Sequence, residues 1–171
     1  MELSYREAMA LVHGIILGAF ILLAFTGGLV EMWNLRAVEG IRDPALPKRI
    51  LRVQIGTVAM AAVAWATVAV GTFIVYPWYR EPAPDSPRSL LLADPSTEEW
   101  HKFGMEWKEH IGWISPILAT VVAVAAVGYG RRLATDSRFR YIMMAIFILA
   151  FVVAAIAGIF GALITKKAPV T

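Results

Sequence analysis

The sequence predicts an all-α integral membrane protein: a four-helix up-down bundle with a short amphipathic helix on its outer side. Three observations carry this. Of 171 residues, 58% are hydrophobic and only 17% charged, too few polar side chains to clothe a soluble domain of that length. The mean hydropathy is +0.64. Four apolar stretches, at about 8–33, 53–78, 109–130 and 141–165, each match or exceed the roughly 20 residues that cross a hydrocarbon core as a helix.

Each span has its own signature. Tyr5 and Trp33 flank the first, and Tyr76, Trp78 and Tyr79 close the second. Trp107 and Trp113 open the third, Tyr129 ends it, and Tyr141 starts the fourth. These rings prefer the headgroup layer, where the body is dry and the tip is wet. Trp65, in mid-span, reads as a packing residue. The first span follows MELSYREAMA, whose two glutamates and long apolar continuation argue for a retained helix rather than a cleaved signal. Gly14 and Gly18 on the first span, and Ala154, Ala157, Gly158, Gly161 and Ala162 on the fourth, have small-residue spacing suited to close helix contact. Pro116 is expected to bend the third span. Glu31 and Gln54 are expected to hydrogen-bond across helices at the headgroup level.

The loop at 79–108 divides in two. Residues 80–96 are rich in proline and turn formers and predict irregular chain. Residues 97–110 predict a helix capped by Ser96 or Thr97, with Glu98 and Glu99 in its first turn. A helical wheel puts Trp100, Phe103, Trp107, Ile111 and Ile114 on one face. His110 lies beside that face, and His101 and Met105 lie on the opposite, wetter side.

Charge sets orientation. The first loop carries Arg36, Arg42, Lys48, Arg49 and Arg52, and the third Arg131, Arg132, Arg138 and Arg140, together nine of sixteen basic residues. The positive-inside rule then puts both termini and the acidic second loop outside, as expected for a multi-pass protein of a bacterial inner membrane. The net charge of +3 reflects this clustering beside spans, so no nucleic-acid partner is expected. The partners expected are the lipid bilayer, other membrane-complex subunits, and a quinone or an outer-face electron carrier.

Chemistry is sparse. With no cysteine, thiolate metal sites, iron–sulfur clusters and covalently attached haem are excluded. No phosphate loop, nucleophile elbow or HExxH motif occurs, so a non-catalytic subunit is expected. The apolar span centres argue against a pump or channel. His13, about five residues into the first span, is the informative residue, because an ionisable side chain at membrane depth needs a partner. It reads as a neutral histidine bonded to a neighbouring carbonyl, as a metal or haem ligand, or as part of a quinone or proton site. His110 is the matching residue, near the same depth on the third span. In an up-down bundle these two helices are diagonal, and His13 and His110 are the candidate axial ligands of one haem b. Gly14 makes room for the macrocycle, and Arg6, Arg80 and Lys108 are candidate propionate partners. A copper-like set of His101, Met105 and His110 is disfavoured, because the wheel turns His110 away from the other two.

The segments YPWYR at 76–80 and FGMEWKEH at 103–110 resemble a pattern in small uncharacterised bacterial four-span membrane proteins, with a YPxYR end to the second span and a KEH entry to the third. That resemblance brings no activity with it. More loosely, the layout is similar to b-type cytochrome membrane anchors, which implies histidine ligands from different helices. With two intramembrane histidines, one bis-histidine haem is the most the chain can hold. The expected function is therefore a membrane-embedded electron-transfer subunit with one haem b between the first and third spans, in a respiratory or photosynthetic complex. The alternative is a cofactor-free accessory subunit.

Overall fold

Backbone amides in hydrocarbon find no water, so an apolar chain must close its hydrogen bonds locally. In the computed structural model, which describes residues 2–40 and 43–169, four long helical stretches do so: Tyr5–Ala37, Leu46–Tyr79, Trp100–Thr135 and Ser137–Lys167. Each is long and apolar enough to cross a membrane. Among the described residues there is no strand. The protein is an all-α, multi-pass membrane helical bundle.

The α-helices are α1 (Tyr5–Leu11), α2 (Leu17–Asn34), α3 (Leu46–Val70), α4 (Tyr76–Tyr79), α5 (Pro87–Ala93, in the loop between the second and third stretches), α6 (Glu106–Ile111), α7 (Ile114–Thr135) and α8 (Ser137–Lys167). Turns of π-helix join α1 to α2 at Val12–Ile16 and α3 to α4 at Gly71–Val75, and another leads into α6 at Trp100–Met105. The helices outrun the apolar spans because polar residues finish them. Ser4 and Glu7 form a reciprocal capping box, with the Glu7 amide on Ser4 Oγ at 3.2 Å and the Ser4 amide on Glu7 Oε2 at 2.8 Å. The third loop shrinks to Asp136, which accepts from the Phe139 amide at 3.0 Å and pairs with Arg132 at 3.1 Å. Its basic residues therefore sit on helix ends. Arg42 of the first loop lies outside the described residues.

The chain divides into two compact units. One comprises Met1–Ala19, Trp65–Trp113 and Val153–Thr171, the other Phe20–Ala64 and Ile114–Val152.

In the second unit, α2 and α3 meet backbone to backbone. A methyl placed on Gly56 would lie 2.7 Å from Gly28 Cα, and one on Gly28 would lie 3.1 Å from the Phe147 ring. Phe25 stacks on Phe151 with centroids 4.0 Å apart. Glu31 pairs with Arg52 at 2.9 Å, and Gln54 donates to the Ala126 carbonyl at 3.2 Å, so both polar residues bridge helices, each with its own partner. A methyl placed on Gly14, Gly18 or Gly158 would meet nothing within 4 Å. The close approach of α2 and α3 thus runs through Gly28 and Gly56, which the spacing did not single out, while of the glycines it did, Gly161 lies under the Lys108 side chain. Pro116 falls in the first turn of α7, where a missing amide costs no helical bond. The stretch is interrupted by a turn at Gly112 and Trp113, four and three residues before Pro116, and departs from helix again at Tyr129 (φ −128°, ψ 29°).

In the first unit, residues 87–93 form α5, where irregular chain was expected. Ser86 caps it by accepting the Ser89 amide at 3.3 Å, and Pro87 occupies the first helical position. Leu91 then packs with Tyr79, Met105, Ile164 and Ala168. Thr97 does not cap the following helix: its hydroxyl reaches back to the Leu91 carbonyl at 3.0 Å. The Ser96 amide donates to Asp94 at 2.8 Å and holds that carboxyl below its usual range.

Candidate functional site

The chemically versatile side chains of the first unit collect where α4, α6 and the π turns meet. Tyr76 donates to Glu109 Oε2 at 2.8 Å. Arg80 Nη2 bonds Glu106 Oε1 at 3.0 Å and Glu109 Oε2 at 3.1 Å. Its guanidinium also lies over the Tyr76 ring at 5.0 Å. YPWYR and KEH, far apart in sequence, thus form one polar cluster through Tyr76, Arg80 and Glu109.

Two of the three histidines occupy π turns. A π turn inserts one extra residue, turns the following side chains by about a third of a turn and leaves local backbone bonds loose, which is why such turns gather at working sites. His13 lies in the first, and its ring covers Gly71, the opening residue of the second: a methyl on Gly71 would lie 2.7 Å from His13 Cε1. A side chain at position 71 would push the imidazole from this place. The Thr67 backbone hydrogen-bonds the ring, and Nδ1 is buried without a hydrogen-bond partner. Lys108 lies within electrostatic reach of His13, with its Nζ over Gly161.

His101 occupies the third π turn and is 7% exposed, sharing a 2.8 Å hydrogen bond with Tyr79 through Nδ1. Met105 is as buried, while Phe103 is 59% exposed. The expectation of a wet His101 and Met105 is therefore corrected. The π turn shifts the wheel, and α5 with the end of α8 supplies apolar cover that the loop sequence did not advertise.

His110 is on the exposed side of α6, its side chain 71% accessible. Nδ1–H donates to the Glu106 carbonyl at 2.8 Å, which leaves Nε2 free. That is the tautomer of a metal-ligating histidine, but the ring is not enclosed within the unit. Of the enclosed histidines, His101 is held by Tyr79 and His13 keeps an unpartnered ring nitrogen, while the inward-facing His110 expected from the wheel is not seen.

The other expected site residues are dispersed. Gly14 has open space around it, as a flat ligand would require. Arg6 pairs with Glu81 at 2.9 Å and lies over Trp78, and Arg80 is held by Glu106 and Glu109. Among the described residues no cluster of three or more His, Cys, Asp and Glu side chains forms a metal site, and Lys108 makes no ion pair. Sequence reasoning missed Gly71 and the Tyr79–His101 pair. The lone glycine opening GTFIV, five residues before the Tyr-Pro step, was the available signal for the former.

Comparison with known protein families, with curated proteins and with solved structures found no match for this chain.

Proposed function

We propose that this chain is a membrane-embedded electron-transfer subunit of a larger redox complex, holding one b-type haem through His13. The observation that supports it most is the buried, unpartnered Nδ1 of His13, whose ring packs on Gly71. An orphaned imidazole nitrogen in an apolar setting is costly unless something occupies it. His13 would hold the group through its imidazole, and a bound haem would supply one-electron chemistry there. His110 has the ring tautomer for a second ligand but not the enclosure. A quinone or an electron carrier on the side of the 80–99 loop is the redox partner under this reading, and the likeness to b-type cytochrome anchors supports the same class.

The test is a reduced-minus-oxidised spectrum of the purified full chain, with a pyridine haemochrome assay. A Soret band that His13→Ala abolishes is the expected result. If His110→Ala turns a low-spin spectrum high-spin, His110 is the second ligand; if it leaves the spectrum unchanged, His13 serves without it. A chain with no haem in either assay ends this reading.

The second reading, a cofactor-free accessory subunit, is favoured by the arginines. Arg6 and Arg80, the expected propionate partners, are already bound by carboxylates. Spectral silence with co-purification of larger redox subunits is its signature.

The orientation belongs to the same proposal: a bacterial inner membrane with both termini outside. Lys102 is exposed on the 80–99 loop side and Lys48 at the opposite helix ends. An impermeant amine reagent applied to intact cells is expected to modify Lys102 and spare Lys48. Modification of Lys48 alone would reverse the orientation.

A further inference from the structure

In the second unit the start of α3 lies beside the end of α7, and between them runs an open groove of about 990 Å³. Its lining combines apolar Leu46, Ile50 and Val127 with Tyr129, Arg131 and Arg132. Ile50 stands four residues from the start of α3, and Arg131 four from the end of α7. At 1.5 Å of rise per residue both lie about 6 Å from a helix end. The groove therefore spans the depth at which acyl chains give way to headgroups.

Its two helices touch along one edge, where Gln54 reaches the Ala126 carbonyl and Ile50 closes on Gly130. Nothing covers Gly128, where a methyl would meet no atom within 4 Å. The break from helix at Tyr129 follows at once, leaving that ring 59% exposed.

The charges in the groove do not cancel. Asp43 is engaged, accepting the Ala45 amide at 2.8 Å and pairing with Arg49 at 2.9 Å. Arg132 pairs with Asp136 at 3.1 Å and lies over the Phe139 ring at 4.7 Å. Arg131 is exposed and, among the described residues, makes no ion pair. One guanidinium is thus left unanswered at the rim of an apolar groove in the headgroup layer.

We propose that this groove seats one anionic phospholipid, with its phosphate on the Arg131 guanidinium and an acyl chain against Leu46, Ile50 and Val127. A guanidinium offers a planar fork that matches phosphate oxygens. A volume near the top of the roughly 300–1,000 Å³ range of small-molecule clefts far exceeds a free phosphate ion. The ion would also leave the apolar lining uncovered. A zwitterionic lipid carries its own ammonium and gains less from Arg131. Basic pockets between membrane helices are suited to anionic headgroups for the same electrostatic reason.

The test uses the full chain reconstituted in vesicles of equal parts phosphatidylcholine and phosphatidylglycerol, extracted in mild detergent and analysed by native mass spectrometry. One retained phosphatidylglycerol is expected in preference to phosphatidylcholine. Arg131→Gln should lower its occupancy about fivefold, the equivalent of about 1 kcal/mol for one basic side chain at a membrane surface. Arg131→Lys should keep most of it. Gly128→Phe, placed where no atom stands within 4 Å, should remove lipid of either headgroup while leaving the thermal midpoint unchanged. Should that variant unfold, the Arg131 pair still decides. Equal retention of the two lipids, or retention unaffected by Arg131→Gln, overturns the proposal. Displacement by millimolar inorganic phosphate overturns it in favour of a free-anion site. Loss of a dimer in Gly128→Phe, with lipid retention unchanged, assigns the groove to a second copy of the chain.

Discussion

Arg140→Met should destabilise the protein by about 3 kcal/mol, read as a large drop in thermal midpoint of the full chain in mild detergent. Arg140 is 1% exposed, yet it carries a charge that burial alone would make costly. Its guanidinium answers three acceptors. Nη1 donates to the Leu133 carbonyl at 2.8 Å and the Ala134 carbonyl at 3.4 Å, and Nη2 pairs with Glu39 at 2.7 Å. Leu133 and Ala134 belong to the last turn of α7, whose carbonyls have no partner further along the helix. Arg140 therefore caps one helix from the first turn of the next, across the single residue that joins them. Methionine fills much of the volume and strands these acceptors, each worth about 1–3 kcal/mol when buried and unpaired. Glu39 contributes less, because its side chain is 37% exposed and water can take over. Glu39→Gln should accordingly cost less than about 1 kcal/mol. If Glu39→Gln and Arg140→Met proved equally damaging, the ion pair rather than the cap would be the source of stability. A loss below about 1 kcal/mol in Arg140→Met would remove the cap argument altogether.

The same residue shows how far the sequence could be read. Arg140 counts in the sequence as one of four basic residues in a loop, a contribution to membrane orientation. Counting charges says nothing about where a helix stops. Once α7 runs to Thr135 and α8 begins at Ser137, there is no loop for the arginine to occupy, and it turns inward. The type and number of the membrane spans were legible, because hydropathy over 20 residues is set by the solvent and not by any particular contact. Boundaries were less so, because they depend on single side chains such as Ser4, Ser86 and Asp136.

The candidate site was legible in identity more than in direction. His13 stood out as an ionisable group at membrane depth, and in the structure it is the histidine with a buried, unpartnered nitrogen. His101 and His110 exchanged their expected environments. The wheel that placed them assumed 3.6 residues per turn, and Trp100–Met105 is a π turn. The inserted residue rotates every later side chain, and nothing in the residue types of WHKFGM announces it. The α5 helix that covers His101 and Met105 lay in a segment whose prolines read as irregular. Pro87 is compatible with a helix only because it occupies the first position after the Ser86 cap.

Gly56→Val should have an effect of similar size by the opposite route, adding atoms where none fit. The α2–α3 approach leaves 2.7 Å between a methyl on Gly56 and Gly28 Cα, and 2.9 Å to the Gly28 nitrogen. Both neighbours are backbone, so no side chain can swing aside. The helices themselves must separate, and with them the Phe147 ring that rests on Gly28. Overpacking of this kind costs about 1–3 kcal/mol. In a membrane bundle the lost van der Waals contact is not offset by a hydrophobic gain, because lipid is as apolar as the interface. Gly56→Ala should cost about 1–2 kcal/mol and Gly56→Val about 3. The controls are Gly18→Ala and Gly158→Ala, chemically the same change at positions with nothing within 4 Å. There alanine meets no atom and should be neutral or stabilising by up to about 1 kcal/mol through its better helix propensity. Thermal midpoints of the four variants in one detergent decide the matter. A shared shift for Gly56→Ala and Gly158→Ala would show that helix propensity, and not the contact with Gly28, governs this pair.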